Sequence, residues 1–501
     1  MTPRTPEGRP WEAGPLMLGD ADAATQLAEV LRSVGYEEKA VAEALGVEFS
    51  WSLSQHTLPV YRRRIAEPSF LHTLIELFTL GTWVDADAVA EALAPADVDR
   101  LAGLSLLERG REGVRSKVGI AENRGVFIVH DDPGAVGSEL PPDYVLGLNP
   151  SSLTLAQMTV RPEVESALDV GAGGGLQAFL AAKHSGRVIG TDTNVRALNM
   201  AAWGALMNGM DSVDFRQGSW FEPVSEERFD LIVCNPPYVI SPETRYLFRD
   251  SGLPRDTVSA QLLRETPEHL EEGGFACMLA SWGQVAGEDW SLPPRQWLEG
   301  TGCDAVILRA DTKDVLSYAS SWISPADPKF EQTLQRWLTY YRDSEIESIT
   351  VATAVLRRRS RGTNWVFADE LPQGVADPVT PHLLRIFESR TLLSESDAEE
   401  GLLGERFRMS PAHRLEQYLA YQDGRYALTA MQLRLTEGLP LFGSVDEISL
   451  HLLSRCDGSR TLREAITDLA GKVDVKPEEL TAPALALVTK LLGLGFLERA
   501  D

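Results

Sequence analysis

The central part of the chain alternates short apolar runs with longer amphipathic segments. The runs SALDVGA, RVIGTDT, VDFRQG, DLIVCNP and FACMLASW are almost continuously apolar, as in strands buried on both faces of a sheet. Segments such as VRALNMAAWGALMNG lie between several of these runs and have apolar residues three and four positions apart, which is typical of helices. Three later runs, DAVILRA, ESITVATAVLRRRS and NWVFADE, extend the pattern. We therefore predict an α/β domain over residues 141–375, with a mainly parallel sheet covered by helices.

The chain on both sides of this region has a helical pattern that also contains strands. On the amino-terminal side, two strand-like pieces joined by Asn123, Arg124 and Gly125 follow several amphipathic segments. On the carboxy-terminal side, a strand-like pair, RYALTAM and RLTEGLPLF, precedes three predicted helices and a short strand. We predict winged-helix-like domains over residues 1–140 and 376–501, and a linker in the stretch 131–152, which is rich in Pro, Gly and Asp.

Composition excludes several classes of protein and site. A chain of 501 residues is too long for one ordinary domain, and no apolar run approaches the roughly 20 residues of a membrane span. Its first residues lack the apolar segment of a secretory signal. The eight histidines form no recognisable metal-binding cluster, so we expect no metal site. The four cysteines are scattered, which favours reduced thiols in a cytoplasmic protein: Cys234, Cys277, Cys303 and Cys456.

The net charge of −26 bears on the choice of partner. Proteins that bind nucleic acid usually carry an excess of Lys and Arg in some segment, and no segment here has one. Two arginine clusters, Arg62–Arg63–Arg64 and Arg357–Arg358–Arg359 with Arg361, stand among acidic residues or beside a strand. We expect both clusters to be solvated edges rather than phosphate-binding sites, which lowers the expectation of a nucleic-acid substrate.

A glycine-rich loop follows the first strand of the central region. The stretch runs Asp169-Val-Gly171-Ala-Gly173-Gly-Gly175, and glycine allows both a tight turn and a close approach of backbone to a ligand. The second strand ends at Asp192, whose carboxylate has the chemistry to hold the two ribose hydroxyls of a nucleotide-like ligand. Taken singly, the loop is equally compatible with a simple strand-to-helix turn and Asp192 with a helix N-cap.

The sequence NPPY ends the fourth strand and carries the candidate catalytic residues. An amide or exocyclic amine is a poor nucleophile because its lone pair is delocalised. Two hydrogen-bond acceptors that hold both N–H bonds are able to direct this lone pair, and the Asn235 side chain and the Pro236 carbonyl are two such acceptors. The two prolines stiffen the turn, and Tyr238 offers a flat face to a planar group.

The glycine loop, the acid after the second strand and NPPY after the fourth strand together resemble the class I S-adenosylmethionine-dependent methyltransferases. The resemblance covers roughly residues 145–285 and implies a Rossmann-like fold, S-adenosylmethionine as cofactor and N-methylation as activity. It assigns catalytic roles to Asn235, Pro236 and Tyr238. The cofactor-binding positions that it implies are Asp169, Gly171, Ala172, Gly173, Gly175, Asp192, Thr193, Ser219, Trp220 and Asn235.

One position departs from the family pattern. Related enzymes commonly have an acidic residue after the third strand, where it receives the adenine amino group, and this chain has Ser219 there. A hydroxyl accepts a hydrogen bond less strongly than a carboxylate does. Adenine is then expected to contact Ser219 or the Trp220 backbone, while the rings of Trp220 and Phe221 either line the base or belong to the core.

The motif leaves the methyl acceptor open between two groups of enzymes. One group methylates glutamine side chains in proteins, and the other methylates adenine-N6 or guanine-N2 in ribosomal RNA or DNA. The sequence GSWFEP followed by NPPYVIS is similar to the corresponding sequences of the glutamine group. In place of that group's PRxETE-like stretch, however, this chain has NPSSLTLAQ. We favour a protein or peptide amide over a nucleobase. A small metabolite, or a catalytically inactive cofactor-binding scaffold, stays open as a further alternative.

Overall fold

The computed structural model describes residues 20–53, 57–131, 140–250, 252–325, 327–395 and 398–500. The chain divides into two compact units. The first is drawn from Met1–Ala156, Arg161–Trp297 and Asp311–Thr353, and the second from Gln157–Val160, Leu298–Ala310 and Ala354–Asp501. Part of the predicted linker, residues 132–139, lies outside the described residues, as do the first nineteen residues.

The amino-terminal region consists of short helices followed by two β-hairpins. A core of buried aliphatic side chains, including Leu27, Leu77 and Leu93, holds the helices together. The helices are α1 (Ala21–Ser33), α2 (Glu38–Leu45), α3 (Leu58–Arg64), α4 (Phe70–Leu74), α5 (Ala86–Leu93) and α6 (Val98–Gly103). The hairpin strands are β1 (Leu107–Gly110), β2 (Gly113–Ser116), β3 (Val118–Asn123) and β4 (Val126–Asp131).

The second hairpin has the turn that its sequence predicts. Strands β3 and β4 pair antiparallel with Asn123 opposite Val126, which leaves Arg124 and Gly125 as a two-residue loop. Both loop residues have positive φ, 52° and 78°, which is the conformation of the hairpin turns that match the twist of the strands. The helices followed by this hairpin agree with the predicted order of elements, whereas the winged-helix assignment stays a prediction.

The centre of the molecule is an eight-stranded sheet in the order β12-β10-β11-β9-β8-β5-β6-β7. Its strands are β5 (Val164–Val170), β6 (Ser185–Asp192), β7 (Val213–Gln217), β8 (Phe229–Cys234), β9 (Leu270–Gln284), β10 (Cys303–Asp314), β11 (Ser348–Arg358) and β12 (Val366–Glu370). The helices of this region are α7 (Pro150–Met158), α8 (Leu176–Ala182), α9 (Val195–Asn208), α10 (Thr257–Glu265), α11 (Leu292–Leu298), α12 (Val315–Trp322) and α13 (Phe330–Asp343).

The sheet confirms the predicted α/β fold with a mainly parallel sheet. The pairs β5–β6, β6–β7, β5–β8, β8–β9 and β10–β12 are all parallel. Each apolar run of the sequence forms a strand, and Leu231, Ile232, Val233 and Cys234 of β8 are all buried, as expected of a strand in a sheet covered on both faces. The strand order reverses between β5 and β8, and in open α/β sheets such a point opens a crevice at the carboxyl ends of the strands.

The carboxy-terminal region differs in one respect from its prediction. The segments RYALTAM and RLTEGLPLF do not pair with each other: residues 425–435 form one long strand, which pairs with residues 413–422. The sequence of the partner segment HRLEQYLAYQ does not predict a strand, because it lacks a clean alternation of apolar and polar residues, and in the structure most of these residues are exposed. The elements are α14 (Thr380–Glu395), α15 (Ala398–Gly404), β13 (Arg406–Met409), β14 (His413–Gln422), β15 (Arg425–Leu435), β16 (Phe442–Ser444), α16 (Glu447–Leu453), β17 (Asp457–Thr461), α17 (Leu462–Val473), α18 (Pro477–Gly493) and β18 (Leu497–Arg499).

The end of this region agrees with the prediction of three helices and a short strand, now α16, α17, α18 and β18. Helix α17 begins with a reciprocal capping box, in which the Thr461 and Glu464 side chains each accept from the other residue's backbone N–H. The division into domains at residues 140 and 375 and the carboxy-terminal winged-helix assignment stay predictions.

A buried histidine makes this region sensitive to acid. The ring of His382 in α14 is bonded at Nε2 to the Leu494 carbonyl (2.8 Å) and accepts at Nδ1 from the Leu439 N–H (3.0 Å). Burial lowers the pKa of His382 from 6.5 to about 4. Because Nδ1 must stay unprotonated to accept, the neutral ring is the form that the fold binds.

We expect the stability that His382 contributes to be complete above pH 6.5 and to be lost as the pH falls towards 4, by up to about 3 kcal/mol. Hydrogen exchange of the peptide covering residues 380–395, corrected for the intrinsic pH dependence of exchange, measures this loss. His382→Gln, which does not titrate, should show a smaller acid effect on the same peptide. An equal acid effect in both proteins would contradict the assignment.

Candidate functional site

A cavity of about 320 Å³ lies at the carboxyl ends of β5, β6 and β8. It brings together nine of the twelve predicted cofactor-binding or catalytic positions: Asp169, Gly171, Ala172, Gly173, Asp192, Thr193, Ser219, Trp220 and Asn235 line it. Gly175, Pro236 and Tyr238 lie outside the lining, whereas their neighbours Gly174 and Pro237 belong to it.

The glycine loop is shaped by backbone hydrogen bonds to the neighbouring strand. The N–H groups of Gly171 and Ala172 both donate to the Thr191 carbonyl, at 2.8 and 2.9 Å. Gly171, Gly173 and Gly175 have φ of 73°, 53° and 88°, a region that glycine adopts without the penalty of a side chain. A Cβ on Gly173 would meet no atom within 4 Å, so the loop leaves open space in front of its backbone.

Asp192 joins the two loops at the end of β5 and β6. Its carboxylate accepts from the Gly173 N–H (2.9 Å) and from the Asn194 N–H (2.8 Å). The N-cap of α9 is Asn194, whose side chain accepts from the Arg196 N–H, so Asp192 is not the cap residue. Burial raises the pKa of Asp192, and the backbone donors oppose that rise. The carboxylate therefore orders the loop and also faces the cavity.

Asp169 lies deeper at the end of β5 and is 2% exposed. Its carboxylate accepts from the Ala178 N–H (2.9 Å) in the first turn of α8, where the helix dipole favours a negative charge. Burial is the main influence on this group, and it raises the pKa of Asp169 to about 7, with a further upward effect from the nearby Asp192 charge. A positively charged ligand in the cavity would favour the ionised form of both acids.

The NPPY turn stands directly beside the glycine loop. Parallel pairing sets Val170 opposite Cys234, so Gly171 and Asn235 both follow the last paired residues. A Cβ on Gly171 would lie 4.0 Å from the Asn235 carbonyl oxygen. Within the described part of the chain the Asn235 carboxamide makes no hydrogen bond, and this side chain lines the cavity. Its amide oxygen is therefore free to bind a ligand.

Tyr238 is held through its backbone. Burial raises the pKa of Tyr238, and the nearby Ser151 side chain opposes that rise, so the phenol stays protonated at neutral pH. Its carbonyl accepts from the Ser281 hydroxyl. Ser152, from the NPSSLTLAQ stretch that stands in place of the PRxETE-like segment, lines the cavity.

The two aromatic residues after β7 have different surroundings. Trp220 lines the cavity with φ of 48°, and its carbonyl accepts from the Thr191 hydroxyl at 2.9 Å. Phe221 is 2% exposed and stacks on His269 with ring centres 4.4 Å apart, so it belongs to the core. Ser219 is exposed and lines the cavity, which leaves its hydroxyl available to a ligand.

The chain after the turn is held by two buried tyrosines. The Ile240 N–H donates to the Tyr318 hydroxyl of α12 (3.3 Å), and the Tyr341 hydroxyl of α13 donates to the Ile240 carbonyl (2.8 Å). Further along, the Glu243 carboxylate accepts from the Trp337 indole N–H at 3.0 Å. Helices α12 and α13 therefore position the backbone that leaves the NPPY turn.

Sequence reasoning missed a second wall of the cavity, residues 143–149, which we call the strap. Much of the strap was predicted to be linker, yet Tyr144, Gly147 and Asn149 line the cavity. The strap is anchored because the Asp131 carboxylate accepts from the Val145 N–H (2.8 Å) and pairs with Arg196. The sequence feature that distinguishes the strap from a linker is the apolar run YVLGL within the Pro-rich stretch.

Two further cavity residues were also missed. Gln177, the residue after Leu176 in α8, is 4% exposed and lines the cavity. Asp250 also lines the cavity, and its carboxylate accepts from the Arg245 and Tyr246 N–H groups (both 3.0 Å) and pairs with Arg249. Neither residue belongs to a motif, so no pattern in a single sequence marks them.

The arginine clusters make internal contacts, and the second is not the solvated edge that the sequence predicts, because the Arg357 and Arg359 side chains are only 15% and 13% exposed. Arg62 pairs with Glu76, and the Arg64 guanidinium donates to the Leu45 and Gly46 carbonyls. Arg357 and Arg359 both pair with Asp304, whose side chain is fully buried. These four guanidinium groups are thus already bound.

The structure also bears on three points raised by the sequence: a metal site, a membrane-spanning helix and the cysteines. Among the described residues, no group of three or more His, Cys, Asp or Glu side chains is placed to hold a metal ion. Searching the same part of the chain for a helix long and apolar enough to cross a membrane finds none. The cysteines at 234, 277, 303 and 456 are buried free thiols.

Comparison with known families identifies the segment that builds this cavity. Residues 148–284 match the methyltransferase small domain family. We call this segment, residues 148–284, the methyltransferase domain after the family that it matches. The flanking residues 33–117 and 385–499 match two domains of unknown function, DUF7059 and DUF7782.

The methyltransferase domain is similar in sequence to glutamine methyltransferases. The ribosomal protein uL3 glutamine methyltransferase of Bradyrhizobium diazoefficiens is 35% identical over 178 residues, which cover 33% of this chain and 52% of that protein. The release factor glutamine methyltransferase of Xylella fastidiosa (strain Temecula1) is 33% identical over 133 residues, 24% of this chain and 47% of that protein. This chain therefore spans about half the length of these two relatives.

Solved structures that are similar to part of this chain include two further methyltransferases. The ribosomal protein L11 methylase from Lactobacillus delbrueckii subsp. bulgaricus is 20% identical, covering 42% of this chain and 77% of that chain with a TM-score of 0.25. A methyltransferase from Pyrococcus furiosus is 16% identical, covering 42% and 88% with a TM-score of 0.27.

We expect Tyr341→Phe to loosen the segment that follows NPPY in the methyltransferase domain. The substitution leaves the buried Ile240 carbonyl without its donor, which costs about 1–3 kcal/mol of local stability. Hydrogen exchange of a peptide covering residues 236–250 should rise accordingly. Tyr421→Phe provides the control, because Tyr421 is 66% exposed, and it should leave the hydrogen exchange of this peptide unchanged. Unaltered protection in Tyr341→Phe would show that the hydroxyl does not hold the turn.

Proposed function

We propose that the chain is an S-adenosylmethionine-dependent N-methyltransferase that acts on a planar amide nitrogen, favouring the glutamine side chain of a protein. The observation that carries the proposal is the Asn235 carboxamide. It faces the cavity without an internal hydrogen bond, beside the glycine loop and on the same cavity as Asp192. A free amide acceptor next to a nucleotide-type cleft is the arrangement that amide methylation requires.

The cavity residues fit S-adenosylmethionine. A volume of about 320 Å³ lies in the range of small-molecule sites. The open space before Gly173 admits a ligand against the loop backbone, and Asp192 carries a carboxylate suited to ribose hydroxyls. Gly171, Ala172 and Gly173 would border the amino-acid part of the cofactor, and Thr193, Ser219 and Trp220 its adenosine; Gly175 shapes the loop from outside the lining.

The chain's own residues would position the acceptor. The bound cofactor supplies a methyl group on a positively charged sulfur. The Asn235 side-chain oxygen and the Pro236 carbonyl each accept one N–H of the acceptor amide, which turns the nitrogen lone pair towards the methyl group. The rigid turn, with the Tyr238 carbonyl bonded to Ser281, keeps this geometry, and near-attack positioning of this kind contributes up to about 7–11 kcal/mol. The methylated nitrogen loses its extra proton to water, so no general base is required.

A protein acceptor is supported by the named relatives, whose names give ribosomal protein uL3 and release factors as their substrates. The net charge of −26 and the internally paired arginines also disfavour a nucleic-acid substrate. We retain the three-domain division at residues 140 and 375 and infer that the flanking winged-helix-like domains assist recognition of a large acceptor. A cytoplasmic location follows from acceptors of this kind.

We expect Asn235→Ala to lower the rate of methyl transfer at least about 100-fold while leaving cofactor affinity within about threefold, because its oxygen acts on the acceptor. The assay uses labelled S-adenosylmethionine with purified release factor, with ribosomal protein uL3 and with cell extract. Calorimetry with the same cofactor gives the affinity.

Treatment of the labelled products separates the acceptor classes. Label that survives nuclease and is lost on protease digestion supports a protein acceptor, and the opposite pattern identifies a nucleobase acceptor. Equal activity of wild type and Asn235→Ala would contradict the catalytic role. Cofactor binding without transfer to any fraction would indicate an inactive scaffold.

The position of Ser219 gives a test of how the cofactor is oriented. We expect Ser219→Asp to tighten binding of S-adenosylhomocysteine about threefold to tenfold, because a carboxylate there accepts from the adenine amino group more strongly than a hydroxyl. Calorimetry measures the change, and Ser219→Asn is the uncharged control. Weaker binding by the aspartate variant would place adenine elsewhere in the cavity.

A further inference from the structure

Gln177 is a buried polar residue on the cavity wall. It lies in the first turn of α8, directly after the glycine loop, and is 4% exposed. Its Nε2 donates to the Ser152 carbonyl at 2.8 Å. This contact fixes the amide orientation, because a flipped side chain would set its oxygen against the Ser152 oxygen.

The other end of the amide has no partner. The Gln177 Oε1 atom is buried and makes no hydrogen bond within the described part of the chain. Leaving a buried acceptor unpaired is unfavourable, since the group has lost its water and gained nothing in exchange. An unpaired atom of this kind on the wall of a ligand cavity indicates that a ligand donor completes it.

The neighbouring groups define the charge of that donor. Asp169 lines the same cavity and accepts from the N–H of Ala178, the residue next to Gln177. This carboxylate already occupies the positive end of α8, so a second carboxylate from a ligand would be repelled. The two side-chain acceptors Gln177 and Asp169 therefore favour a cationic N–H donor.

We propose that the Gln177 Oε1 atom accepts a hydrogen bond from the α-ammonium group of the cofactor's amino-acid part, with the Asp169 carboxylate providing the opposite charge. The inference rests on the proposed function, since it assumes S-adenosylmethionine in this cavity. It makes Gln177 a specificity residue that distinguishes the complete cofactor from adenosine compounds lacking the amino acid.

Two ligands test the inference by calorimetry. S-adenosylhomocysteine contains the amino-acid part, whereas 5′-methylthioadenosine has the same adenosine and sulfur without it. Gln177→Met preserves volume and removes the acceptor. We expect this variant to bind S-adenosylhomocysteine between about 10-fold and 100-fold more weakly, and 5′-methylthioadenosine within about twofold of wild type.

Asn199 supplies a matched control. It is 1% exposed, its two amide atoms also lack hydrogen-bond partners, and it is absent from the residues that line the cavity. Asn199→Leu should leave the affinities for S-adenosylhomocysteine and 5′-methylthioadenosine unchanged. Without ligand, Gln177→Met should unfold within a few degrees of wild type, because losing the Nε2 bond to the Ser152 carbonyl is offset by removing the unpaired Oε1 atom.

The outcomes separate this inference from the proposed function. Unchanged affinity of Gln177→Met for S-adenosylhomocysteine would overturn the inference, and so would an equal loss for both ligands, which indicates a distorted cavity. If wild type binds neither ligand, the proposed cofactor is wrong and the inference fails with it. A loss of affinity for S-adenosylhomocysteine alone supports both the inference and the proposed function.

Discussion

The candidate site depends on the register between β5 and β8. Val170 pairs with Cys234, which brings the start of the glycine loop beside Asn235 at the point where the strand order reverses. Side chains alternate between the two faces of a strand, so a slip of one residue would direct the Asn235 carboxamide away from the cavity. Glycine at 171 suits the same arrangement because its φ of 73° is a conformation that residues with a side chain rarely adopt.

The surrounding residues fix the backbone of the turn and leave its amide side chain available. The carbonyl of Tyr238 accepts from Ser281, and both backbone groups of Ile240 are bonded to tyrosine hydroxyls. Prolines at 236 and 237 have no N–H to satisfy. The turn is therefore held by bonds that do not involve the Asn235 carboxamide, which is the condition for a rigid turn with an unoccupied acceptor.

Much of the central fold and several site residues could be predicted because their causes are local in sequence. Continuous apolar runs such as DLIVC form buried strands, and Asp192 and Asn235 stand at strand ends, where ligands bind in such sheets. The strap could not be predicted as a cavity wall, because its position depends on Asp131 and Arg196, which are 65 residues apart. Gln177 carries no sequence signal, since what distinguishes it is a single unpaired oxygen. Strand β14 was missed because burial, which produces the alternating pattern, is slight there.

The arginine pairs bear on the choice between a protein and a nucleic-acid acceptor. Arg357 and Arg359 neutralise the Asp304 carboxylate, whose side chain has no exposed surface. Nearby guanidinium groups lower the pKa of Asp304, so the acid is ionised and the pairs persist at neutral pH. Moving these arginines to a phosphate would leave a buried charge unpaired, at a cost of about 3–5 kcal/mol. A nucleic-acid acceptor would need other cations in a chain of net charge −26, whereas a glutamine side chain needs only the Asn235 turn.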